Sequence, residues 1–377
     1  MMDIKFLSAQ RKISDPIADQ TVERLLQDGL LPELNKSLKH FVANNDALPE
    51  RLPDYIHQYF HQTSILPEWA DLQRIRQGQH FFLTYAREIL LLLIVKSLPT
   101  CYACGNGAEL LYRTGRLNRE DQGHKVMARR LLETMQFVID VMDIGSFRPE
   151  GKAIRSAQKV RLIHAAIRQY ALKNKWNAKL YGYPINQEDM TFTLLSFSHY
   201  ILEGLEQMEI PLKKEEKQNF LHTWNVIGHI MGVKEVLLPE THEKAKTLAE
   251  SILKHQAKPT EAGKVLTRSC IDFMVSTDRS IGPTARIPTL FRFFLGPGIS
   301  GILQIAKPDN SIIELFTPAS VRLFSGFKHI LKNEFFLFRQ IINIDNRLYW
   351  NSLFDTVYPN MERELNIPPS LKESWKK

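Results

Sequence analysis

Cysteine is scarce in this chain, with only Cys101, Cys104 and Cys270 among 377 residues. A small odd number in a long chain excludes a disulfide-stapled scaffold and points to a reducing compartment. Long apolar runs are missing too. The most apolar stretch, Ile89 to Val95, is too short to span a bilayer and reads as a buried helix. The N-terminus, Met1-Met2-Asp3-Ile4-Lys5-Phe6, has neither an apolar signal core nor a twin arginine. The expectation is a soluble cytoplasmic protein without export signal or transmembrane segment. Charge of one sign is in only mild excess, 49 Lys and Arg against 41 Asp and Glu, for a formal net charge of +8. Basic pairs such as Lys213-Lys214 run straight into Glu215-Glu216, so nothing resembles a nucleic-acid tract. Other common catalytic signatures are also absent: a Walker loop, GxSxG, and the Glu-x-x-His of di-iron bundles.

What is present is helical periodicity, nearly everywhere. It predicts an all-α chain with helices near 17–30, 32–44, Trp69 to Leu98 with a break near Gly78, 106–113, 120–143, 152–173, 187–207, 213–232 and 240–256. Asn186-Gln187-Glu188-Asp189 after Pro184 is a good helix start, its acids complementing the helix dipole, and Gly232 suits a helix end. The segment 174–186 reads as the clearest long loop. The stretch 280–312 holds four prolines and four glycines, yet Phe291, Phe293, Phe294, Leu295 and Ile299 are too apolar to stay solvated. It reads as irregular but packed. The expected organisation is one large helical domain, with an N-terminal helical extension over 1–64, a core over 65–235, and a C-terminal extension over 236–377 packed on it.

Several side chains carry possible chemistry. His164 lies in the helical run Lys159 to Arg168, with Arg161 at i−3, Arg168 at i+4, and Ala165 and Ala166 beside it. An imidazole among small side chains with guanidinium groups a turn away can hold a large flat cofactor bearing acidic arms. The alternative is a hydrogen-bonded core histidine. Arg130, Thr134, Phe137 and Val141 share one helical face, and an arginine in an apolar stripe requires a partner: Glu133, another carboxylate, or a ligand. Gly228 and Gly232 leave a flat strip for a neighbouring helix or a macrocycle. Cys101-x-x-Cys104 has no further ligands nearby and is followed by Gly105 rather than His, so buried cysteines are expected. His57 and His61 share a helical face without the Glu of a zinc protease motif.

Taken together, these segments resemble the haem-dependent oxygenase family of latex-clearing protein (rubber oxygenase) and the MpaB-type oxygenases. Four pieces occur in the family's order: Leu98-Pro99-Thr100-Cys101-Tyr102 with Thr114-Gly115-Arg116-Leu117, Arg130 to Met142, Arg161 to Arg168, and Tyr181 to Met190. The resemblance covers roughly 65–235, with a weaker echo from Pro288 to Ile305. It implies a non-covalent haem b held by His164, with Arg168 and Ala165 beside the cofactor and with Arg130 and Thr134 in the same site. The implied reaction is oxygenation of an apolar, unsaturated small substrate by dioxygen, including cleavage of a carbon–carbon double bond; the alternative is a haem or lipid carrier or sensor without turnover. Glu133, Glu109 and Glu120 are candidates for the family's carboxylate base, Glu133 fitting best on helical phase. Some rubber oxygenases carry lysine at the position of Glu133, and rubber-cleaving members are secreted. Both departures put polyisoprene in doubt as the substrate.

Overall fold

The computed structural model describes residues 2–116, 123–277 and 286–307. Among them helices make up nearly all the regular structure, with no strand beyond an isolated bridge between Cys104 and Ala257. No described helix is long and apolar enough to cross a membrane.

The chain opens with four helices, α1 (Ile4–Gln10), α2 (Pro16–Gln27), α3 (Leu31–His40) and α4 (Asp54–Ser64). Asp15 caps α2 by accepting from the Ala18 amide, and Pro16 occupies the first turn, where its missing N–H costs nothing. Helices α2 to α4 bury Val22, Leu25, Leu34, Ile56 and Phe60 against Leu162, Ala165, Ala166 and Tyr170 of α10 (Ala153–Lys173). This forms a layer on one side of α10. A larger apolar cluster, running from Ile75 to Ile305, lies beyond it.

The long helix predicted over Trp69 to Leu98 is several pieces: α5 (Leu72–Thr84), α6 (Ala86–Leu92), a π-helical turn Leu93–Ser97, and α7 (Leu98–Ala103). The break falls at Tyr85 (φ −118°, ψ 25°), not at Gly78. Gly78 instead sits where α5 crosses α14 (Lys214–Ile230); a Cβ there would lie 2.2 Å from Thr223 Oγ1. The glycine serves close approach rather than bending. Helix α8 (Gly105–Arg116) follows, then α9 (Gly123–Met142), which runs back along α10 with Asp140 meeting Ser156 at 3.4 Å.

After the short α11 (Ala178–Tyr181), the helix predicted over 187–207 is split at Ser198 into α12 (Gln187–Phe197) and α13 (His199–Gln207). The remaining helices are α15 (His242–Gln256), α16 (Glu261–Thr277), which periodicity had not singled out, and α17 (Arg286–Ile302). The last corrects the irregular reading of 280–312 over its described part: the chain is helical on both sides of a kink at Gly296 (φ 70°) and Pro297. Buried Lys96, on the π-helical turn, donates to the Phe294 carbonyl just before that kink at 2.8 Å.

Candidate functional site

α10 carries the candidate ligand between two engaged arginines. Arg161 pairs in two-pronged fashion with Asp15, Nε to Oδ2 at 2.6 Å and Nη2 to Oδ1 at 2.8 Å, while Nη1 donates to the Ile230 carbonyl at the end of α14 at 2.8 Å. Arg168, almost fully buried, donates from Nε to Asp19 at 2.5 Å and from Nη1 to the Ile185 carbonyl at 3.4 Å. Its Nη2 has no hydrogen-bond partner; Asp15 Oδ2 stands 3.9 Å away. Ala165 is buried in the cluster with α2 to α4, behind the arginine stripe. Both cofactor-side residues expected from sequence thus make contacts to the N-terminal layer.

His164 differs from its neighbours. It keeps some exposed surface, yet its Nδ1 is buried without a hydrogen-bond partner. Burial, followed by the Arg168 charge, pushes its pKa down to about 4, so the imidazole is neutral near pH 7. A satisfied core histidine would have a partner at Nδ1; this one does not. A neutral ring with an unengaged nitrogen is in the protonation state that ligates metal. No group of three or more His, Cys, Asp or Glu among the described residues could hold a metal ion. A neutral imidazole can be the single protein ligand to an iron whose other ligands come from a macrocycle, and in that respect His164 fits a haem.

The α9 residues lie on the neighbouring helix, but no described hydrogen bond or ion pair joins them to His164. Arg130 reaches across to α8, donating to the Leu111 carbonyl at 3.1 Å and to Thr114 Oγ1 at 3.2 Å. Burial lowers its pKa. Thr134 donates to the Arg130 carbonyl one turn back at 2.8 Å. Glu133 pairs with Arg129 at 2.8 Å, not with Arg130. The i,i+4 geometry favours that local pair, since both residues lie toward solvent while Arg130 turns inward. Glu109 pairs with Arg113 at 2.7 Å, and Glu120 lies outside the described residues.

Other expectations resolve by packing. Gly228 abuts Leu194 of α12 and Leu238, and Gly232 (φ 85°) closes over Asp15 and Arg161, so neither faces an open macrocycle site. The three cysteines are free, with burial pushing Cys101 up to about 11 and Cys270 up to about 12. His57 and His61 lie on α4 outside any metal-binding group. Apolar residues of α12 pack into separate clusters: Met190 with Val233 and Leu237, Phe192 with Leu195 and Tyr200, and Phe197 with Trp224.

Sequence reasoning missed the acids that matter most here. Asp15 and Asp19 lie about the start of the helix expected near 17–30, and nothing local marks them as partners of arginines about 150 residues away. Glu188, read as a helix-dipole acid, is wholly buried; it accepts from Arg11 Nη1 at 3.0 Å and Gln256 Nε2 at 2.9 Å, and lies 2.6 Å from His255 Nδ1. Asn186 alone caps α12, accepting from the Asp189 amide at 3.0 Å. Asp140, whose pKa is raised chiefly by burial, is a further half-hidden carboxylate on α9.

The helices that carry these residues form an all-α fold. The family described as ER-bound oxygenase mpaB/B'/Rubber oxygenase, catalytic domain, matches residues 103–317, more than half of the 377, and the chain belongs to it. A rubber oxygenase from a Streptomyces strain is 25% identical over 298 residues, spanning 78% of this chain and 71% of that protein. The solved structure of latex clearing protein LCP in the closed state matches with a TM-score of 0.77 at 21% identity, covering 91% of each chain. At that identity the structural match establishes the fold. The matched family stretch takes in α8, α9 and α10 but leaves out α2.

Proposed function

We propose that this chain is a haem-b-dependent oxygenase acting on an apolar, unsaturated substrate, with His164 as the protein ligand to iron. The observation that carries the reading is the His164 ring, neutral, partly exposed and unpartnered at Nδ1 on the α10 of an oxygenase-family chain. Bound haem would supply the activation of dioxygen needed to oxygenate or cleave a carbon–carbon double bond. The protein's own residues do the rest. His164 fixes the cofactor on one side. Arg168, with one Nη2 still free to donate, balances acidic charge on it. Ala165 fills the space behind His164 without bulk, so the N-terminal layer can pack close to α10. On α9, Arg130 supplies a positive charge and Thr134 a hydroxyl for orienting oxygen or substrate, after turning from their present partners. Glu133, paired with Arg129, is the α9 carboxylate proposed to accept an allylic proton.

Expression with added haem should give a Soret band and about one haem per chain in the parent protein. His164→Ala should lose both while its helical circular dichroism persists. Oxygen uptake with a panel of olefins, polyisoprene among them, then tests turnover. A full haem complement in His164→Ala would move the ligand elsewhere. Tight haem binding with no oxygen consumed on any olefin would make the protein a carrier or sensor.

A further inference from the structure

The charges around α10 are arranged with more care than stability requires. Arg161 and Arg168 stand two turns apart, one on either side of His164, and both are met by acids of the same short stretch of α2. Asp15 carries three contacts at once: it caps α2, takes both prongs of Arg161, and stands 3.9 Å from Arg168. All four charged side chains are at least four-fifths buried. Taking such groups out of water has a desolvation cost that apolar packing would avoid. What a forked guanidinium–carboxylate pair provides is a single good alignment. The Arg161–Asp15 fork and the single Arg168–Asp19 contact, seven residues apart, together fix both the rotation of α10 and its position along its axis. His164 lies between them.

The surroundings hold the attachments in place. At Gly232 the chain after α14 passes so close that a Cβ would lie 2.7 Å from Asp15 Oδ2 and 2.8 Å from Arg161 Nε. On the other side, the Ile185 carbonyl that accepts from Arg168 belongs to a β-branched residue at φ 48°. Such a conformation persists only where neighbouring contacts impose it.

We infer that Asp15 and Asp19 are positioning residues for His164. The N-terminal layer, outside the stretch matched by the catalytic-domain family, sets the aim of the imidazole through Arg161 and Arg168. This rests on the reading of His164 as the iron ligand, since its aim has consequences only if it binds something. It assigns α2 a part in the site that its position in the sequence conceals.

The test uses the full chain with Asp15→Asn and Asp19→Asn, singly and together, and Asp19→Glu. Two readouts are taken. With haem, the titrated affinity and the spectrum of the ferric protein report ligation. Without haem, the rate at which diethyl pyrocarbonate modifies His164 is read by mass spectrometry, with His57 and His61 on α4 as internal references. The Asn variants should remain helical, bind haem about tenfold more weakly with an altered ferric spectrum, and modify His164 at a changed rate relative to the references. Asp19→Glu, which keeps the charge, should recover part of the affinity. A folded double variant with parental affinity, spectrum and His164 reactivity overturns the proposal. If the double variant does not fold, Asp19→Asn alone is judged by the same criteria, because Asp19 lies at the less buried end of the cluster. Failure of the parent to take up haem, or normal uptake by His164→Ala, would sink the haem reading instead. The reactivity measurement in haem-free protein then still decides the positioning claim, a changed rate supporting it and an unchanged rate refuting it.

Discussion

The two sides of α10 are built on opposite terms. Toward α2 and α4 its charges are matched and its small residues are packed: Arg161 with Asp15, Arg168 with Asp19, and Ala165 and Ala166 under Val22 and Ile56. Toward α9 the polar groups turn elsewhere, Arg130 to α8, Thr134 to its own helix and Glu133 to Arg129. His164 is left with a buried Nδ1 and no partner. A buried unsatisfied nitrogen costs about 1–3 kcal/mol, and native structures keep few of them. The arginines that flank His164 are committed to holding the helix still, while His164 itself is left unpartnered.

The strongest way to break this contrast is Arg161→Ala, which leaves Asp15 buried without its fork. It should lower unfolding free energy by about 3–5 kcal/mol in urea titrations. An effect below about 1 kcal/mol would mean that water readily replaces the guanidinium. Next comes Gly232→Ala, which must place a side chain at φ 85° against Asp15 and Arg161. A loss of about 1–3 kcal/mol is expected.

The opposite sign is expected at His164. His164→Leu removes the unpartnered nitrogen, so the haem-free variant should gain on the order of 1 kcal/mol while losing haem. Acid offers a related measurement. Burial holds His164, His199 and His222 near a pKa of about 4, against 6.5 for the ordinary side chain. Between those values the unfolded chain binds protons that the folded chain does not, so stability should fall as pH drops from about 6.5 toward 4. Melting curves across that window should be less pH-dependent in His164→Leu than in the parent. An identical slope would show that His164 is not the group taking up the proton.

The smallest structural effect belongs to Glu133→Gln. Its pair with Arg129 is a partly exposed i,i+4 contact, worth roughly 0.5 kcal/mol or less. Stability and haem content should be unchanged while turnover on an active substrate slows. Equal turnover at matched haem content would remove Glu133 from the chemistry and leave Glu109 or Asp140 as the carboxylate to try.

Much of the helical framework was legible because its causes are local. Apolar spacing outlines α9 and α10 to within a few residues, Asn186 announces the start of α12, and Gly232 marks the end of α14. The break at Tyr85 and the π-helical turn after Leu92 were not, since no proline or glycine stands there. Gly78 misled for the complementary reason: it looks like a breaker and is a contact with Thr223. Pairing was the least legible layer. Glu133 has arginines three and four residues back, and sequence alone does not say which one turns toward it.

That the chain is all-α, where α10 lies, and that His164 stands on it between two arginines are all written in local residue order. Periodicity, caps and the order of family-like segments are properties of neighbours along the chain. That those arginines are held by Asp15 and Asp19 at the start of α2, and that His164 Nδ1 is left alone, emerge from long-range packing. Those outcomes depend on which distant groups arrive within about 3 Å of one another in a medium where an unpaired charge is costly.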